Sequence, residues 1–394
     1  MTHMTSAIAT LGLGLLGGCG GTGATAPTPP AVEQFTFQPG PHQGKDIWVT
    51  SVFSYGDDFG VNDTSLQVGG WADYYATLIA IDALSLLGMP RSAITAKLAL
   101  VSYARGDQSA VVGMDLRRIL GPWDQNTGWY TPKPQAQSIG NLPAPAAGSV
   151  LTIDVTALYN SWQATPSSNY GIELFPLGNN NQFTVFRSSG YLAAPTHRPR
   201  WELTYTPSVQ PLRLKLPLPG GKSWQVSTEI GSRDCLTNDL QLPSHLGLNH
   251  FSLDFVPVSS PGVPATDVPI FAAADGYAFQ SIPNDPNNGN YVVIDHDSDQ
   301  NPSTGYTTRY LHLKQFDPQL RVGPIKQGDP IGTMGNTGTA NVHLHFGVRY
   351  NNDGSPNQEA LTFVTMEGLH LVEYMTECQG GMRTRYYPST NRVP

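Results

Sequence analysis

The stretch Val342-His343-Leu344-His345-Phe346-Gly347-Val348 alternates apolar residues with two histidines. In a β-strand, residues two apart lie on the same face of the sheet. We therefore expect His343 and His345 on one face, with the apolar residues beside them packed into a core. Two imidazoles about 6–7 Å apart on one strand face suit a metal ligand beside a catalytic base. Two surface histidines on a strand would give the same pattern, so the surrounding sequence has to decide.

Histidines are concentrated around this stretch. Six of the ten in the chain lie in about a quarter of its length, namely His245, His250, His296, His312, His343 and His345. A second alternating stretch, Phe251-Ser252-Leu253-Asp254-Phe255, turns Asp254 away from the apolar face. A carboxylate near several histidines offers the mixed oxygen and nitrogen ligands that zinc takes. The chain lacks the His-Glu-x-x-His pattern of other zinc proteases and the Gly-x-Ser-x-Gly turn of serine hydrolases.

Residues 231–380 resemble the lysostaphin-type (LytM-like) zinc metallopeptidases in a series of ordered motifs. After the stretch around Asp254, these motifs are Val268-Pro269-Ile270-Phe271, Gly289-Asn290-Tyr291-Val292-Val293-Ile294, Tyr310-Leu311-His312-Leu313, Gly328-Asp329-Pro330-Ile331-Gly332, Gly335-Asn336-Thr337-Gly338-Thr339 and His343-Leu344-His345-Phe346. The resemblance implies one zinc ion per chain, held by an early histidine, Asp254 and His345. It also implies that His312 and His343 are the catalytic pair. His343 would deprotonate water, and His312 would stabilise the oxyanion or protonate the leaving amine.

The early histidine ligand has two candidates. His250 stands four residues before Asp254, which is the common spacing in the family, but Ser252 occupies the midpoint where the family has glycine. In a straight strand, positions four apart are separated by about 13 Å, too far for two ligands that each bond zinc at about 2 Å. His245 lies in a turn that can fold back over the strand. We favour His245 and keep His250 as the alternative.

The composition of the 394-residue chain indicates an all-β protein of two or three domains. It contains 41 glycines and 33 prolines, and only 13% of its residues are charged. Helical bundles need more charged helix formers, whereas many short strands joined by turns fit this composition. The net charge of -8 argues against a nucleic-acid partner, because phosphate contacts need a basic surface.

Residues 35–207 form the first of two strand-rich blocks. One short helix is predicted from Val155 to Trp162, with Asp154 as its cap. Segments such as Tyr55-Gly56-Asp57-Asp58-Phe59-Gly60 and Arg198-Pro199-Arg200-Trp201 resemble the DNRLRE-type domains found beside bacterial extracellular enzymes. The resemblance implies a jelly-roll-like β-sandwich that binds polysaccharide. Aromatic residues that would either stack on sugars or pack in the core are Trp71, Tyr74, Tyr75, Trp123, Trp129 and Tyr130.

The first 34 residues are predicted to direct export. Residues 1–19 carry an apolar run that ends in Leu16-Gly17-Gly18-Cys19, and residues 20–34 form a tether rich in Gly, Thr and Pro. The run is shorter than the ~20 residues that span a bilayer. It resembles a bacterial lipoprotein signal, which implies lipidation of Cys19 and, because residue 20 is not Asp, an outer-membrane anchor. The segment lacks the Lys or Arg of ordinary signals, and a secretory signal without lipidation is the alternative.

Once Cys19 is assigned to the anchor, Cys235 and Cys378 remain. An even remainder in an exported chain favours one disulfide between them. Two free buried thiols are the alternative.

These features divide the chain into a signal segment (1–19), a tether (20–34), a β-sandwich (35–207), a zinc metallopeptidase domain (208–380) and a polar tail (381–394). We expect an exported protein of the bacterial cell envelope, either an outer-membrane lipoprotein or extracellular. Its expected activity is zinc-dependent hydrolysis of peptide bonds in peptidoglycan. A zinc protease of secreted proteins and a catalytically inactive wall- or polysaccharide-binding protein are the alternatives.

Overall fold

A computed structural model describes residues 31–52, 63–104, 110–131, 133–231, 243–280, 285–297, 299–351, 358–379 and 382–393. Strands dominate the regular structure of these residues, so the chain belongs to the all-β class, as predicted. Within them, the helices are too short to cross a lipid bilayer. Cys19 and Cys235 lie outside the described residues, so the lipid anchor and the disulfide to Cys378 stay predictions.

In the described part of the first block, eleven strands hydrogen-bond into one continuous antiparallel sheet. They are β1 (Glu33–Phe37), β2 (Gly44–Thr50), β3 (Ser65–Trp71), β4 (Tyr75–Ile81), β5 (Thr95–Tyr103), β6 (Met114–Ile119), β7 (Ala136–Leu142), β8 (Val150–Asp154), β9 (Ile172–Pro176), β10 (Asn180–Arg187) and β11 (Arg200–Tyr205). The order is β1-β11-β5-β10-β3-β4-β9-β6-β7, with β2 paired to β4 and β8 paired to β5.

This N-terminal sheet has two parts, which meet where β10 pairs with β5. That joint consists of Val185 opposite Tyr103 and Phe186 opposite Ser102, whereas β5 pairs along most of its length with β8 and β11. Apolar side chains from both parts belong to one buried cluster. A sheet whose two parts pack face to face is a sandwich arrangement. The jelly-roll topology and the domain limits stay predictions.

Two α-helices lie in this region. The helix α1 (Ala83–Leu87) starts after Asp82, whose carboxylate accepts hydrogen bonds from the backbone N–H groups of the first turn. The helix α2 (Thr156–Ala164) lies where one was predicted, and Asp154 accepts a 2.9 Å hydrogen bond from the N–H of Thr156. The sequence pattern does not predict α1, because five residues are too few to show a helical period.

The second block contains the remaining described strands. They are β12 (Arg213–Leu214), β13 (Ser223–Thr228), β14 (Ser252–Ser259), β15 (Val263–Pro264), β16 (Pro269–Phe271), β17 (Gly276–Gln280), β18 (Asn290–Asp295), β19 (Tyr306–Leu313), β20 (Gln315–Phe316), β21 (Gly323–Ile325), β22 (Pro330–Thr333), β23 (Leu344–Tyr350), β24 (Thr365–Met366), β25 (Leu369–His370), β26 (Cys378–Gln379), β27 (Met382–Arg383) and β28 (Tyr387–Pro388). A short helix, α3, spans Gln358–Leu361. Single 3-10 turns occur at Pro166–Ser168, Pro195–His197, Pro243–His245, Gly247–Asn249 and Leu371–Glu373.

The main sheet of this block, here called the C-terminal sheet, has the order β21-β17-β18-β19-β23-β14-β13-β28, with β15 paired to β14. Strand β23 lies between β14 and β19. On one side Asp254 of β14 is opposite His345, and on the other side Leu311 of β19 is opposite the same histidine. The register of three neighbouring strands therefore brings Asp254, His345 and the end of β19 to one place.

A polar and aromatic seam joins the two blocks. Arg198 is 1% exposed and donates a 2.7 Å hydrogen bond to Glu377. His370 is buried between the rings of Phe35 and Tyr205, whose centroids lie 4.5 and 6.2 Å from its own. The seam is therefore closely packed, and the core cluster is continuous from one block to the other.

Candidate metal centre

His245, Asp254 and His345 form a compact group in the C-terminal sheet. One ligand atom from each lies within 4.8 Å of the others. His245 Nε2 is 3.1 Å from Asp254 Oδ2, and His345 Nδ1 is 3.0 Å from Asp254 Oδ1. The predicted early histidine, acid and second histidine of the His-x-His stretch thus come together, although they span a hundred residues of sequence.

Each member of this His–Asp–His group comes from a different element. Asp254 and His345 are cross-strand neighbours on β14 and β23. His245 ends the 3-10 turn Pro243–His245, which folds back over β14 as the sequence suggests. Its Nδ1 lies 3.2 Å from the carbonyl oxygen of Glu229, so in the neutral ring Nδ1 carries the proton and Nε2, which faces Asp254, is free to bind a metal. A backbone carbonyl that fixes the tautomer in this way is typical of metal-bound histidines.

The group is buried and strongly coupled. The exposed fractions of His245, Asp254 and His345 are 0%, 8% and 4%. Burial alone would raise the pKa of Asp254, but attraction to His245 and His345 holds that pKa well below its usual value. The pKa of His245 is raised, because Asp254 outweighs the burial that would lower it. Asp254 is therefore ionised, as a metal ligand must be.

Two atoms of this group lack hydrogen-bond partners, namely His245 Nε2 and Asp254 Oδ1. A buried polar atom without a partner is costly, and such atoms are normally satisfied in native proteins. Both belong to a donor set of two imidazoles and a carboxylate, which is a common ligand set of catalytic zinc. The residues present therefore fit a zinc ion.

His343 and His312 lie beside the group. His343 Nε2 is 3.8 Å from Asp254 Oδ1, and the ring centroids of His312 and His343 are 4.8 Å apart. Each ring has its Nδ1 2.9 Å from a backbone carbonyl oxygen, that of Thr337 for His312 and that of Asn341 for His343. Since a carbonyl only accepts, the neutral rings carry their proton on Nδ1 and leave Nε2 as a base.

Local backbone geometry sets both of these rings. His312 has φ +65, a left-handed conformation that is uncommon for a residue with a side chain. Strain of this kind is concentrated at functional sites. Burial and, to a smaller extent, repulsion from His343 together lower the pKa of His312 to about 4. His312 is therefore neutral near pH 7.

The prediction that His343 lies in the strand with His345 is wrong in detail. Strand β23 begins at Leu344, and His343 forms an isolated bridge with Gly335, to whose carbonyl oxygen the N–H of His343 donates a 3.1 Å hydrogen bond. The turn that contains Gly335 and Thr337 holds the two histidines from outside the sheet. Sequence reasoning noted this turn as a motif but missed that its carbonyl groups orient both imidazoles.

His250 is outside the group. It follows the turn Gly247–Asn249 and packs edge-on against Phe251, with centroids 5.0 Å apart. Its Nε2 has no hydrogen-bond partner, and burial lowers its pKa to about 4. His296 is also apart, with Nδ1 2.7 Å from the carbonyl oxygen of Asp275 and Nε2 2.9 Å from Thr308 Oγ1. Both nitrogens of His296 are thus engaged in holding β17–β19 together.

Part of the chain matches a known protein family. The family model described as "Peptidase family M23" matches residues 262–357. The matched segment contains His312, His343 and His345, whereas His245 and Asp254 precede it.

Two curated relatives match the same part of the chain. The lipoprotein NlpD of Yersinia enterocolitica is 37% identical over 85 residues, which cover 21% of this chain and 77% of that protein. The peptidoglycan DD-endopeptidase ShyC of Vibrio cholerae is 44% identical over 80 residues, which cover 20% of this chain and 16% of that protein. The chain therefore spans only about a sixth of the length of ShyC.

Among solved structures, a zinc-containing peptidase from Vibrio cholerae is similar at 26% identity with a TM-score of 0.26. That match covers 37% of this chain and 39% of the other.

Proposed function

The chain belongs to peptidase family M23, and on this premise we propose that it is an exported zinc metalloendopeptidase that hydrolyses peptide bonds of peptidoglycan. The observation that carries the proposal is the meeting of His245, Asp254 and His345 with two further histidines whose Nε2 atoms are basic. The peptidoglycan substrate is supported by the relative named a peptidoglycan DD-endopeptidase.

In this proposal, His245 Nε2, an oxygen of Asp254 and His345 Nδ1 would hold the zinc ion. A zinc ion bound there would supply a Lewis acid to polarise the scissile carbonyl and acidify water. Asp254 contributes the negative charge, and the carbonyl of Glu229 keeps His245 in the tautomer that leaves Nε2 free. The walls of the site exclude water from the three ligands, since all of them are buried.

His343 and His312 would move protons. His343 Nε2 lies 3.8 Å from Asp254 Oδ1, so it is placed to take a proton from the attacking water. The hydrogen bond to Thr337 puts the proton of neutral His312 on Nδ1, so Nε2 can donate only after it has gained a proton. We therefore assign His312 the role of carrying a proton to the leaving amine, and of stabilising the oxyanion only in its protonated form.

Purified full-length protein incubated with peptidoglycan sacculi tests the reaction. Release of muropeptides, read by mass, should require zinc, stop with chelator and be absent from Asp254→Ala protein that keeps its fold. Release that is insensitive to chelator and to this variant would reject the zinc mechanism. Zinc-dependent cleavage of protein substrates without muropeptide release would keep the chemistry and reject peptidoglycan. Zinc binding with no cleavage of either substrate would favour an inactive wall-binding protein.

A second function, polysaccharide binding by the N-terminal sheet, is favoured by one exposed aromatic group. Tyr74 is 38% exposed. Its ring stacks on that of Trp129 at an interplanar angle of 11° and on that of Phe175 at an interplanar angle of 26°. Lys133 lies 5.4 Å from the Trp129 ring centroid. Planar aromatic faces beside a cation suit the apolar faces and hydroxyl groups of sugars. Of the other aromatic residues considered for sugar stacking, Trp123 and Tyr75 are buried, whereas Trp71 and Tyr130 are exposed.

Co-sedimentation with sacculi tests this second function. Tyr74→Ala should weaken sedimentation, whereas Leu177→Ala, which removes an apolar side chain that is 56% exposed just after β9, should not. Equal retention of both variants and the unchanged protein would reject sugar binding by this surface.

We also propose that Cys19 is lipidated and holds the protein at the outer membrane. Radiolabelled palmitate should enter the protein made in a bacterial host and should be absent from Cys19→Ser protein. Labelling that persists in the variant would reject Cys19 as the anchor.

A further inference from the structure

The loop between β18 and β19 carries a second group of possible metal ligands in the C-terminal sheet. Asp295, Asp297 and Asp299 each place a carboxylate oxygen within 4.8 Å of the other two. Asp295 is the last residue of β18 and is 0% exposed, whereas the other two are exposed. These three residues are called the acidic loop below.

The buried member of the acidic loop has an atom that needs a partner. Asp295 Oδ2 has no hydrogen-bond partner, while Oδ1 accepts a 3.3 Å hydrogen bond from the N–H of Asp297. A fully buried carboxylate oxygen without a donor or a cation costs free energy. Because Asp295 Oδ2 has no N–H donor and two further carboxylates lie beside it, a cation is the partner that would satisfy this oxygen.

The charge around the group supports the same conclusion. Among the described residues, no Lys or Arg forms an ion pair with Asp295, Asp297 or Asp299. Three carboxylates without a counter-charge attract a divalent cation.

The backbone resembles a calcium-binding loop. Acidic residues stand at positions 1, 3 and 5, and Gln300 at position 6 has φ +59, where calcium loops make a sharp turn. The N–H of Asp299 donates to Asp297 Oδ1 at 3.3 Å, and that of Asn301 donates to Asp299 Oδ1 at 2.7 Å. These bonds curl the loop around its own carboxylates. Thr304 Oγ1 closes it with a 2.6 Å hydrogen bond to Asp299 Oδ2.

A glycine at the start of β19 makes room for the carboxylates. Gly305 has φ +54, and a Cβ atom at this position would lie 1.8 Å from Asp297 Oδ2. Only glycine permits this close approach of the carboxylate to the returning chain. The end of β18, the loop and the start of β19 are therefore held around one point.

We propose that the acidic loop binds one divalent cation, and that this cation is calcium. All donors of the acidic loop are oxygens, which calcium prefers, whereas the two imidazoles and one carboxylate of the His–Asp–His group form a set that suits zinc. Magnesium needs a more regular octahedron and gives up its water reluctantly, which suits an irregular loop less well. The calcium ion would fasten the β18–β19 hairpin at the end opposite to His312.

This site is separate from the proposed zinc site. Asp295 is opposite Thr307 on β19, and His312 is five residue steps further along that strand, about 17 Å away. Calcium binding by the acidic loop can therefore be tested independently of the peptidase activity.

Calcium titration of the full-length protein tests the proposal. Protein is stripped with chelator, dialysed and titrated with calcium chloride alone in a calorimeter, and its thermal midpoint is followed in the same buffers. We expect one calcium ion per chain and a higher midpoint with calcium. Asp299→Asn and Asp297→Asn, which keep the loop's shape, should each weaken calcium binding on the order of tenfold or more, since calcium affinity follows the number of charged ligands.

Asp124→Asn is the matched control, because the Asp124 carboxylate also accepts a hydrogen bond from a loop N–H, that of Asn126, but belongs to neither group of possible metal ligands. It should bind calcium as the unchanged protein does. Circular dichroism establishes that each variant is folded. No calcium binding by folded full-length protein at millimolar concentration would overturn the proposal. Calcium binding that Asp299→Asn and Asp297→Asn leave unchanged, or equal binding of magnesium, would also overturn it.

Discussion

Strand β19 joins two polar clusters that differ in chemistry. At its C-terminal end, His312 lies with His343 beside the His–Asp–His group, and before its N-terminal end lies the acidic loop. Each cluster contains one buried carboxylate with an unpartnered oxygen, on Asp254 and on Asp295. Asp254 is surrounded by imidazoles and Asp295 by carboxylates. The neighbours of a buried acid, rather than its burial, therefore decide which cation it suits.

The largest expected effect separates the two clusters directly. Asp254→Ala and His345→Ala should each remove zinc and lower peptidase activity by about a thousandfold or more, because several kcal/mol of transition-state stabilisation are lost with the metal. Asp299→Asn should leave both quantities unchanged. Metal content by mass spectrometry and muropeptide release measure them. Stoichiometric zinc in folded Asp254→Ala and His345→Ala protein would contradict the assignment.

Two neighbouring histidines sharpen the comparison. His245→Ala should remove zinc as Asp254→Ala does, since it takes away one of three ligands. His250→Ala should keep zinc, because His250 packs against Phe251 and lies outside the ligand group. Both proteins are measured in parallel for zinc content and thermal midpoint. Loss of zinc from His250→Ala protein alone would reverse the choice between them.

The catalytic pair should give a smaller effect that spares the metal. His343→Gln and His312→Gln should retain zinc and lower kcat by about 10²- to 10⁴-fold, the usual contribution of a general acid or base. Activity and zinc content are measured on the same preparations. If zinc is lost together with activity, the histidine concerned acts as a ligand and not as a proton carrier.

The sequence predicts the donors of the His–Asp–His group because motifs and strand alternation are local. Alternation places Asp254 on a polar face, and the turn before it makes His245 a better candidate than His250. Alternation fails at His343, because the bridge to Gly335, rather than the strand, determines its backbone. The cation site of the acidic loop was not predicted from the sequence, for a related reason. Its spacing is visible in the sequence, but the missing partner of Asp295 Oδ2 depends on the packing of β17 and β19 around β18.

Strands β6 and β10 of the N-terminal sheet show another limit. β6 has two consecutive arginines, and β10 begins with two asparagines and a glutamine, so neither has clear alternation at its polar end. Both are strands because neighbours hydrogen-bond to them on each side, β7 and β9 for β6 and β3 and β5 for β10. Pairing with residues distant in sequence overrides the local pattern.

The smallest expected effect concerns a histidine that meets neither a metal nor a dominant acid. His370 in the seam bonds the carbonyl oxygen of Thr362 through Nδ1 at 3.0 Å, and burial lowers its pKa to about 4. Glu33, Arg213 and Glu373 are the charged groups around it. The pKa of His245, in contrast, is raised by Asp254. The two buried histidines should therefore respond to acid in opposite ways.

For His370, proton binding determines whether acid stabilises or destabilises the fold. Its pKa is lower in the folded protein than in the unfolded chain, so between pH 6.5 and 4 the unfolded chain binds more protons and acid destabilises the fold. The contribution is up to about 1.4 kcal/mol for each pH unit. His370→Asn keeps a donor near the Nδ1 position but does not titrate. Its free energy of unfolding in urea should therefore fall less steeply from pH 6.5 to 4.5 than that of the unchanged protein. His197→Asn, at an exposed histidine, is the control, and equal slopes for His370→Asn and the unchanged protein would show that His370 does not gain a proton on unfolding.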